Sequence, residues 1–170
     1  MRRNKKFARR FLLLGLLLVA VLLSSCAGKS AERPAGYTDP DLVVTGVCDV
    51  GNKIISSGRV VRDEDARAIA RLCIGGGIEG KLTEAIFKVS DIVGDNISVE
   101  LQPYRSAEWI DENNAIGCIV VRCTIHTENF GDKTIDSAMD LEIERLVKDK
   151  TFPWSDGTPT NFWYVKGVDI

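Results

Sequence analysis

The chain has 170 residues, of which 45% are apolar and 27% charged, and its formal net charge is −2. That length allows one domain with its own hydrophobic core. The charge is unevenly distributed: the first 25 residues hold six of the 22 cations and no anion, so the rest holds 16 cations against 24 anions. Such an acidic domain lacks the basic surface of a nucleic-acid binder, and we expect no nucleic-acid partner.

The first 25 residues have the parts of a secretory signal peptide. Residues 11–23 form an apolar run that is short of the roughly 20 residues needed to span a bilayer. Six basic side chains precede this run: Arg2, Arg3, Lys5, Lys6, Arg9 and Arg10. We therefore interpret residues 1–25 as a signal for export. The alternative is a transmembrane anchor.

Leu23-Ser24-Ser25-Cys26 follows the apolar run. This tetrapeptide resembles the lipobox of bacterial lipoproteins. The resemblance implies cleavage before Cys26 and a diacylglycerol on its thiol, often with a further acyl chain on the new amine. Each buried methylene contributes about 0.8 kcal/mol, so two or three chains anchor a protein stably.

Ala27 stands where, in the enterobacterial sorting pattern of these lipoproteins, an aspartate would retain the protein in the inner membrane. The resemblance therefore implies an anchor in the outer membrane, facing the periplasm. Residues 26–40 are polar and rich in small residues, which predicts a flexible tether. Residues 41–170 remain as a single domain.

The first half of that domain mixes extended and helical patterns. Residues 41–50 are rich in valine and predict a strand, with a second extended piece at 54–61. Acidic residues 63–65 favour a helix start, and apolar residues follow at helical spacing to Cys73. The pattern resumes at 78–89 after Gly75-Gly76-Gly77, so the segment is either one long helix packed closely at its glycines, which we favour, or two helices.

The second half is dominated by alternation. Residues 97–102 and 116–127 alternate and predict a hairpin, joined through turn residues near 112–115. Residues 135–146 fit a second helix, although 139–143 also alternate, and 162–170 predict a final strand. These elements give an α+β fold, with an antiparallel sheet and two helices on one face. The order β-α-β-β-α-β is that of a split βαβ sandwich.

Four cysteines remain after Cys26: Cys48, Cys73, Cys118 and Cys123. Export permits disulfides. Cys118 and Cys123 lie five apart in a predicted strand, so they face opposite sides and do not pair with each other. Cys48 or Cys73 could pair with either. The alternative is four reduced cysteines acting as small apolar residues.

No motif predicts catalysis, a metal or a cofactor. Gly75 to Lys81 fits part of a phosphate-binding loop, but Leu82 stands where Ser or Thr would hold magnesium. His126 is the only histidine and has no partner at a ligand spacing. We therefore interpret His126 as structural, and we expect no enzymatic activity.

Aromatic residues bracket a turn-rich loop near the end of the chain: Trp154, Phe162, Trp163 and Tyr164. Aromatics beside such a loop can form a contact patch for a partner or a glycan. The alternative is that they close one end of the core.

Three features also resemble small bacterial lipoproteins of the LPP-twenty type: Val44-Thr45-Gly46, residues 65–70 opening a helix, and Leu82. The resemblance covers about half of the chain after Cys26. It implies an envelope lipoprotein whose only transferable site is the lipid cysteine. Our leading hypothesis is a non-catalytic domain that binds another envelope protein or a cell-wall component, and the alternative is a small-ligand or glycan-binding lipoprotein.

Overall fold

The structure, a computed structural model, describes residues 33–147 and 158–169, which belong to one compact unit, Arg33–Ile170. In these residues three helices precede five strands, so the predicted α+β class is confirmed. The helices are α1 (Pro40–Ser56), α2 (Asp63–Leu72) and α3 (Gly76–Ser90). The strands are β1 (Ile97–Pro103), β2 (Glu108–Trp109), β3 (Asn114–Ile125), β4 (Lys133–Arg145) and β5 (Trp163–Asp169).

The strands form one antiparallel sheet in the order β1-β3-β4-β5. The short β2 also pairs with β3, beyond the end of β1. The predicted hairpin is confirmed, with Leu101 of β1 opposite Val121 of β3. The predicted final strand is confirmed as β5.

The strand predicted for residues 41–50 is wrong, because this segment is helix α1. Asp39 caps the helix by accepting a hydrogen bond from the Asp41 N–H at 2.8 Å, and Pro40 occupies its first turn. The valines are buried at helical spacing, as Val43, Val47 and Val50 show. The preference of valine for strands reflects how well its side chain packs on a sheet surface more than an intrinsic backbone preference. Burial of these valines against the sheet can therefore override it.

The extended piece predicted for 54–61 is wrong as well. Helix α1 continues to Ser56, and the chain then turns through Gly58 and Arg59, whose φ angles are 67° and 70°. Left-handed backbone ends a helix abruptly, and glycine adopts it at no steric cost. The turn leads directly into α2, so the helix predicted from residue 63 is confirmed.

The single long helix through the glycines is also wrong. Helix α2 ends at Leu72, and α3 begins at Gly76 with Gly75 as its N-cap. A Cβ at Gly76 or Gly77 would meet no atom within 4 Å, so close packing does not explain these two glycines. The break lets the Ile74 N–H bond the Val165 carbonyl at 3.0 Å, which joins this segment to β5.

The helix predicted for residues 135–146 is wrong because this segment is β4. Twelve consecutive residues of β4 pair with β3, and Met139, Leu141 and Ile143 are buried on one face. The sequence fits both a helical period and the two-residue period of a strand, and pairing with β3 stabilises the strand. The β-α-β-β-α-β order and the count of two helices are therefore wrong: three helices come first in the described chain.

Helix α1 lies at the centre of the core, in contact with β1, β3, β4, β5 and both other helices. It crosses β3 at Gly117, where an added Cβ would overlap the Val44 and Ile143 side chains. Near its other end, the Asn52 amide accepts from the Leu101 N–H at 2.8 Å and donates to the Leu101 carbonyl at 2.9 Å. Helix α1 therefore packs closely against β3 and also covers the outer edge of β1.

Two glycine-to-alanine substitutions test this packing. We expect Gly117→Ala to lower the free energy of unfolding by about 1–3 kcal/mol, because the methyl group has no room between α1 and β4. Gly80→Ala is the control at an exposed position of α3, where the same methyl group should raise stability by about 0.5–1 kcal/mol. Urea unfolding of the purified variants measures both. Equal stability changes at the two positions would contradict the placement of α1.

Candidate functional site

The structure places Trp163 and Tyr164 inside the domain, where only 2% and 0% of their surfaces are exposed. Phe162 is half-buried against a small cluster that contains Tyr164, Ile74 and Leu146. These three aromatics therefore close one end of the core, as the second interpretation of the sequence has it. Trp154 and Cys26 lie outside the described residues.

The buried aromatics hold the beginning of the domain in place. Trp163 exchanges two backbone hydrogen bonds with Tyr37, of 2.8 and 3.3 Å. The Tyr164 hydroxyl accepts from the Gly36 N–H at 3.0 Å and donates to the Pro159 carbonyl at 2.8 Å. Burial raises the pKa of Tyr164, so this hydroxyl keeps its proton.

Two arginines also hold the segment before α1. We call these contacts of the segment, together with those of Trp163 and Tyr164, the clamp. The Arg71 guanidinium lies 4.5 Å from the centre of the Tyr37 ring and donates to the Ala35 carbonyl at 3.0 Å. Arg33 pairs with Glu79 of α3. The point at which the chain enters the domain is therefore fixed by contacts to α2, α3 and β5.

Four of the eleven large apolar side chains that are exposed in residues 33–147 and 158–169 lie in β2 or next to it. We call this surface the β2 corner: Tyr104, Trp109, Ile110 and Ile116, of which the first three are 64%, 54% and 63% exposed. The strand ladder places them at one end of the sheet, because β2 pairs with Ala115 and Ile116 and the Tyr104 N–H bonds the Cys118 carbonyl. Trp109 lies opposite the buried Ala115, on the core face, whereas Ile116 lies opposite Glu108 on the other face. Aromatic and large aliphatic side chains on a surface are typical of protein contact sites.

Trp109 is the rigid member of the β2 corner. Its ring meets the buried Trp163 ring edge to face, with centroids 4.9 Å apart and planes at 81°. One side of Trp109 is thus fixed by the core while more than half of its surface faces solvent. A side chain held in this way loses little conformational entropy when it binds a partner.

The β2 corner was not predicted from the sequence, although a signal for it was present. Tyr104, Trp109 and Ile110 stand in a polar stretch between two strands. Large apolar side chains in such a loop do not follow the alternation of either strand, which indicates exposure.

His126 takes part in a surface hydrogen-bond chain. Its Nε2 lies 3.1 Å from the Ser98 hydroxyl, and its Nδ1 lies 3.2 Å from an Asp132 carboxylate oxygen. The order Ser-His-Asp is that of a hydrolytic triad. All three side chains are exposed, however, so water competes for each bond and screens the charges. The chain of bonds links β1 to the β3–β4 turn.

All four described cysteines are unbonded. Burial raises the pKa of the Cys48 thiol to about 12 and also raises that of Cys73. The pKa of Cys118 is raised by burial and by a hydrogen bond to Asp140. Thiols that keep their protons are weak nucleophiles and weak metal ligands, so Cys48 and Cys73 act as small apolar residues in the core.

No group of three or more His, Cys, Asp or Glu side chains in residues 33–147 and 158–169 is arranged to hold a metal ion. In the same ranges, no helix is both long enough and apolar enough to cross a membrane.

Comparison with known proteins adds one distant likeness. No family model matches the chain, and no curated protein matches it. Its fold is similar to the crystal structure of the intermembrane space region of the chloroplast protein ARC6, at 9% identity and a TM-score of 0.39. The match covers 76% of this chain and 92% of that one. A likeness this weak carries no argument about function.

The clamp at the domain entrance is tested by removing one hydroxyl. We expect Tyr164→Phe to lower the free energy of unfolding by about 1–3 kcal/mol, because the Gly36 N–H and the Pro159 carbonyl lose their partner. The matched control, Tyr104→Phe on the exposed surface, should change stability by less than about 0.5 kcal/mol. Urea unfolding compares them. If Tyr164→Phe were as stable as the control, the hydroxyl would not hold the segment.

Proposed function

We propose that this protein is a non-catalytic lipoprotein of the bacterial envelope, whose domain binds another envelope protein through the β2 corner. Cys26 would carry the lipid anchor, in the outer membrane and facing the periplasm. The exposure of Tyr104, Trp109 and Ile110 on one corner of a well-packed domain is the observation that carries the binding role.

The composition of the β2 corner favours a protein partner. Tryptophan and tyrosine contribute most of the binding energy at many protein interfaces. Arg105 and Glu108 form an exposed ion pair of 3.1 Å beside them, so polar and apolar side chains adjoin on this surface as they do at protein interfaces. The net negative charge of the domain favours a partner with a basic or neutral docking surface.

The absence of catalysis is part of the proposal. The Ser98-His126-Asp132 chain supplies the connectivity of a triad, but its members stand in water. A general base gains most where a site excludes water and supplies donors for the developing oxyanion. The exposure of these side chains favours a structural role.

The ligand-binding alternative uses the aromatic residues near Trp154 and Trp163. Burial of Trp163 and Tyr164 removes two of those four aromatics from the surface. No specific contact in the described residues favours a glycan over a protein partner.

The anchor is tested at Cys26. We expect Cys26→Ser to abolish acylation and to move the protein from the membrane fraction to the soluble or unprocessed fraction. Metabolic labelling with an alkyne fatty acid and intact-mass measurement detect the lipid. Cys123→Ser is the matched control, since it also removes one thiol and should stay labelled. Unchanged labelling and membrane association of Cys26→Ser would refute lipid anchoring.

The β2 corner is tested by site-specific photo-crosslinking in intact cells. A photoreactive residue at Ile110 should give a discrete adduct with one envelope protein. We expect Trp109→Ala to reduce that adduct, because loss of an interface hot spot of 2 kcal/mol or more corresponds to roughly 30-fold weaker binding.

The control for this experiment is the same probe at Phe130, an exposed aromatic on the β3–β4 turn. Thermal unfolding verifies that Trp109→Ala remains folded, because Trp109 also contacts Trp163. Equal adducts at Ile110 and Phe130, or none at Ile110, would refute the binding role of the β2 corner.

A further inference from the structure

The two outer edges of the sheet are largely covered by other parts of the chain. On β1, Asn52 bonds both backbone groups of Leu101, and Ile97 exchanges two 3.1 Å bonds with Gly94. On β5, Tyr37 bonds Trp163 and Ile74 bonds Val165. Exposed strand edges invite pairing with other chains, and folded proteins usually cover them in this way.

One stretch of edge is different, because β5 pairs only with the second half of β4, from Asp140 to Arg145. The Arg145 N–H bonds the Asn113 carbonyl at 2.8 Å, so odd-numbered residues of β4 direct their backbone groups towards β3. Even-numbered residues direct theirs away from β3. In the part of the chain that the structure describes, the backbone groups of Thr134, Asp136 and Ala138 therefore meet no partner.

The side chains around this open edge are exposed as well. Every residue from 133 to 138 is exposed, and Ile135 shows 59% of its surface on the face that buries Met139 and Leu141 further along β4. A large aliphatic side chain at an open edge can be buried by a pairing strand. The first half of β4 thus offers both hydrogen-bonding groups and apolar surface.

We propose that the open edge of β4 pairs with the same edge of a second copy of this chain, antiparallel and about a two-fold axis at Ile135. Such a contact is isologous, since each copy presents the same residues. The sheets of the two copies would join into one continuous sheet. This surface is separate from the β2 corner, so the inference is independent of the partner proposed there.

The sequence of the edge favours this occupant, because one self-pairing register fits. With Ile135 opposite Ile135 of the second copy, Thr134 faces Asp136 of the other copy and no carboxylates are directly opposed. A shift of the pairing register in one direction sets Asp136 opposite Asp136 of the second copy. A shift in the other direction sets Asp136 opposite Asp132 of the second copy. Like charges directly opposite destabilise a strand pair, whereas two isoleucines stabilise it.

The charge of Asp136 does not oppose the pairing. Arg122 of β3 donates two hydrogen bonds to this carboxylate, of 3.0 and 2.9 Å. The bidentate pair compensates the charge and lies on the face of the sheet away from the helices. Edge carboxylates usually prevent pairing by repulsion, and here that repulsion is reduced.

The pairing is short, so the dimer should be weak in dilute solution. A stable interface buries about 1,200–2,000 Å², more than a ladder of a few residues provides. The test is therefore made with full-length protein at its site of expression in intact cells.

The test is a disulfide across the two-fold axis. Ile135→Cys is introduced in a Cys123→Ser background, because Cys123 is the neighbour of Ile135 on β3 and would compete for the new thiol. Residues opposite each other at a non-hydrogen-bonded position have Cβ atoms about 4.5–5.5 Å apart, near disulfide geometry. We expect mild oxidation to give a dimer band that a reductant removes. Ile110→Cys in the same background is the matched control.

Thr134→Pro, added to Ile135→Cys, makes the test specific to strand pairing. The Thr134 N–H points away from β3, so proline should leave the β3–β4 ladder intact and remove one bond to the second copy. We expect loss of the dimer band with unchanged thermal unfolding. An adduct with a different protein, equal dimer bands at Ile135→Cys and Ile110→Cys, or no dimer at Ile135→Cys would each overturn the proposal.

Discussion

The packing of α1 against the sheet is the interaction on which the rest of the domain depends. Gly117 lets Val44 approach β3, and Asn52 satisfies both edge groups of Leu101 at the far end of the helix. Because α1 contacts both other helices and four strands, α2 and α3 are positioned against it as well as against β5. A change in the register of α1 would disturb the core and the β1 edge together.

Much of the sheet could be predicted from sequence, because strands β1 and β3 show an alternation of apolar and polar residues that no helical pattern contests. The first helix could not, since valines at 43, 44, 47 and 50 suit a strand by propensity and a helix by spacing. The deciding signal was the Asp39-Pro40 cap, which lies in the predicted tether. Strand β4 fitted both periods, and only its pairing with β3 selects one.

The candidate sites show the same division. Trp163 and Tyr164 are adjacent in a strand, so alternation would expose one of them; both are buried because Tyr37 and the small cluster around Ile74 cover that end of β5. These contacts join residues that are far apart in the chain, so no local sequence pattern predicts them. The result separates two regions: buried aromatics hold the entrance of the domain, while the β2 corner offers exposed ones to a partner.

The placement of α1 is tested most directly by NMR, through the Cα chemical shifts of residues 41–56 in the folded protein. A buried helix predicts continuous helical shifts from Asp41 to Ser56, together with slow amide exchange at Val47, Val50 and Ile54. Strand-like shifts across residues 41–50 would contradict the architecture and every surface derived from it.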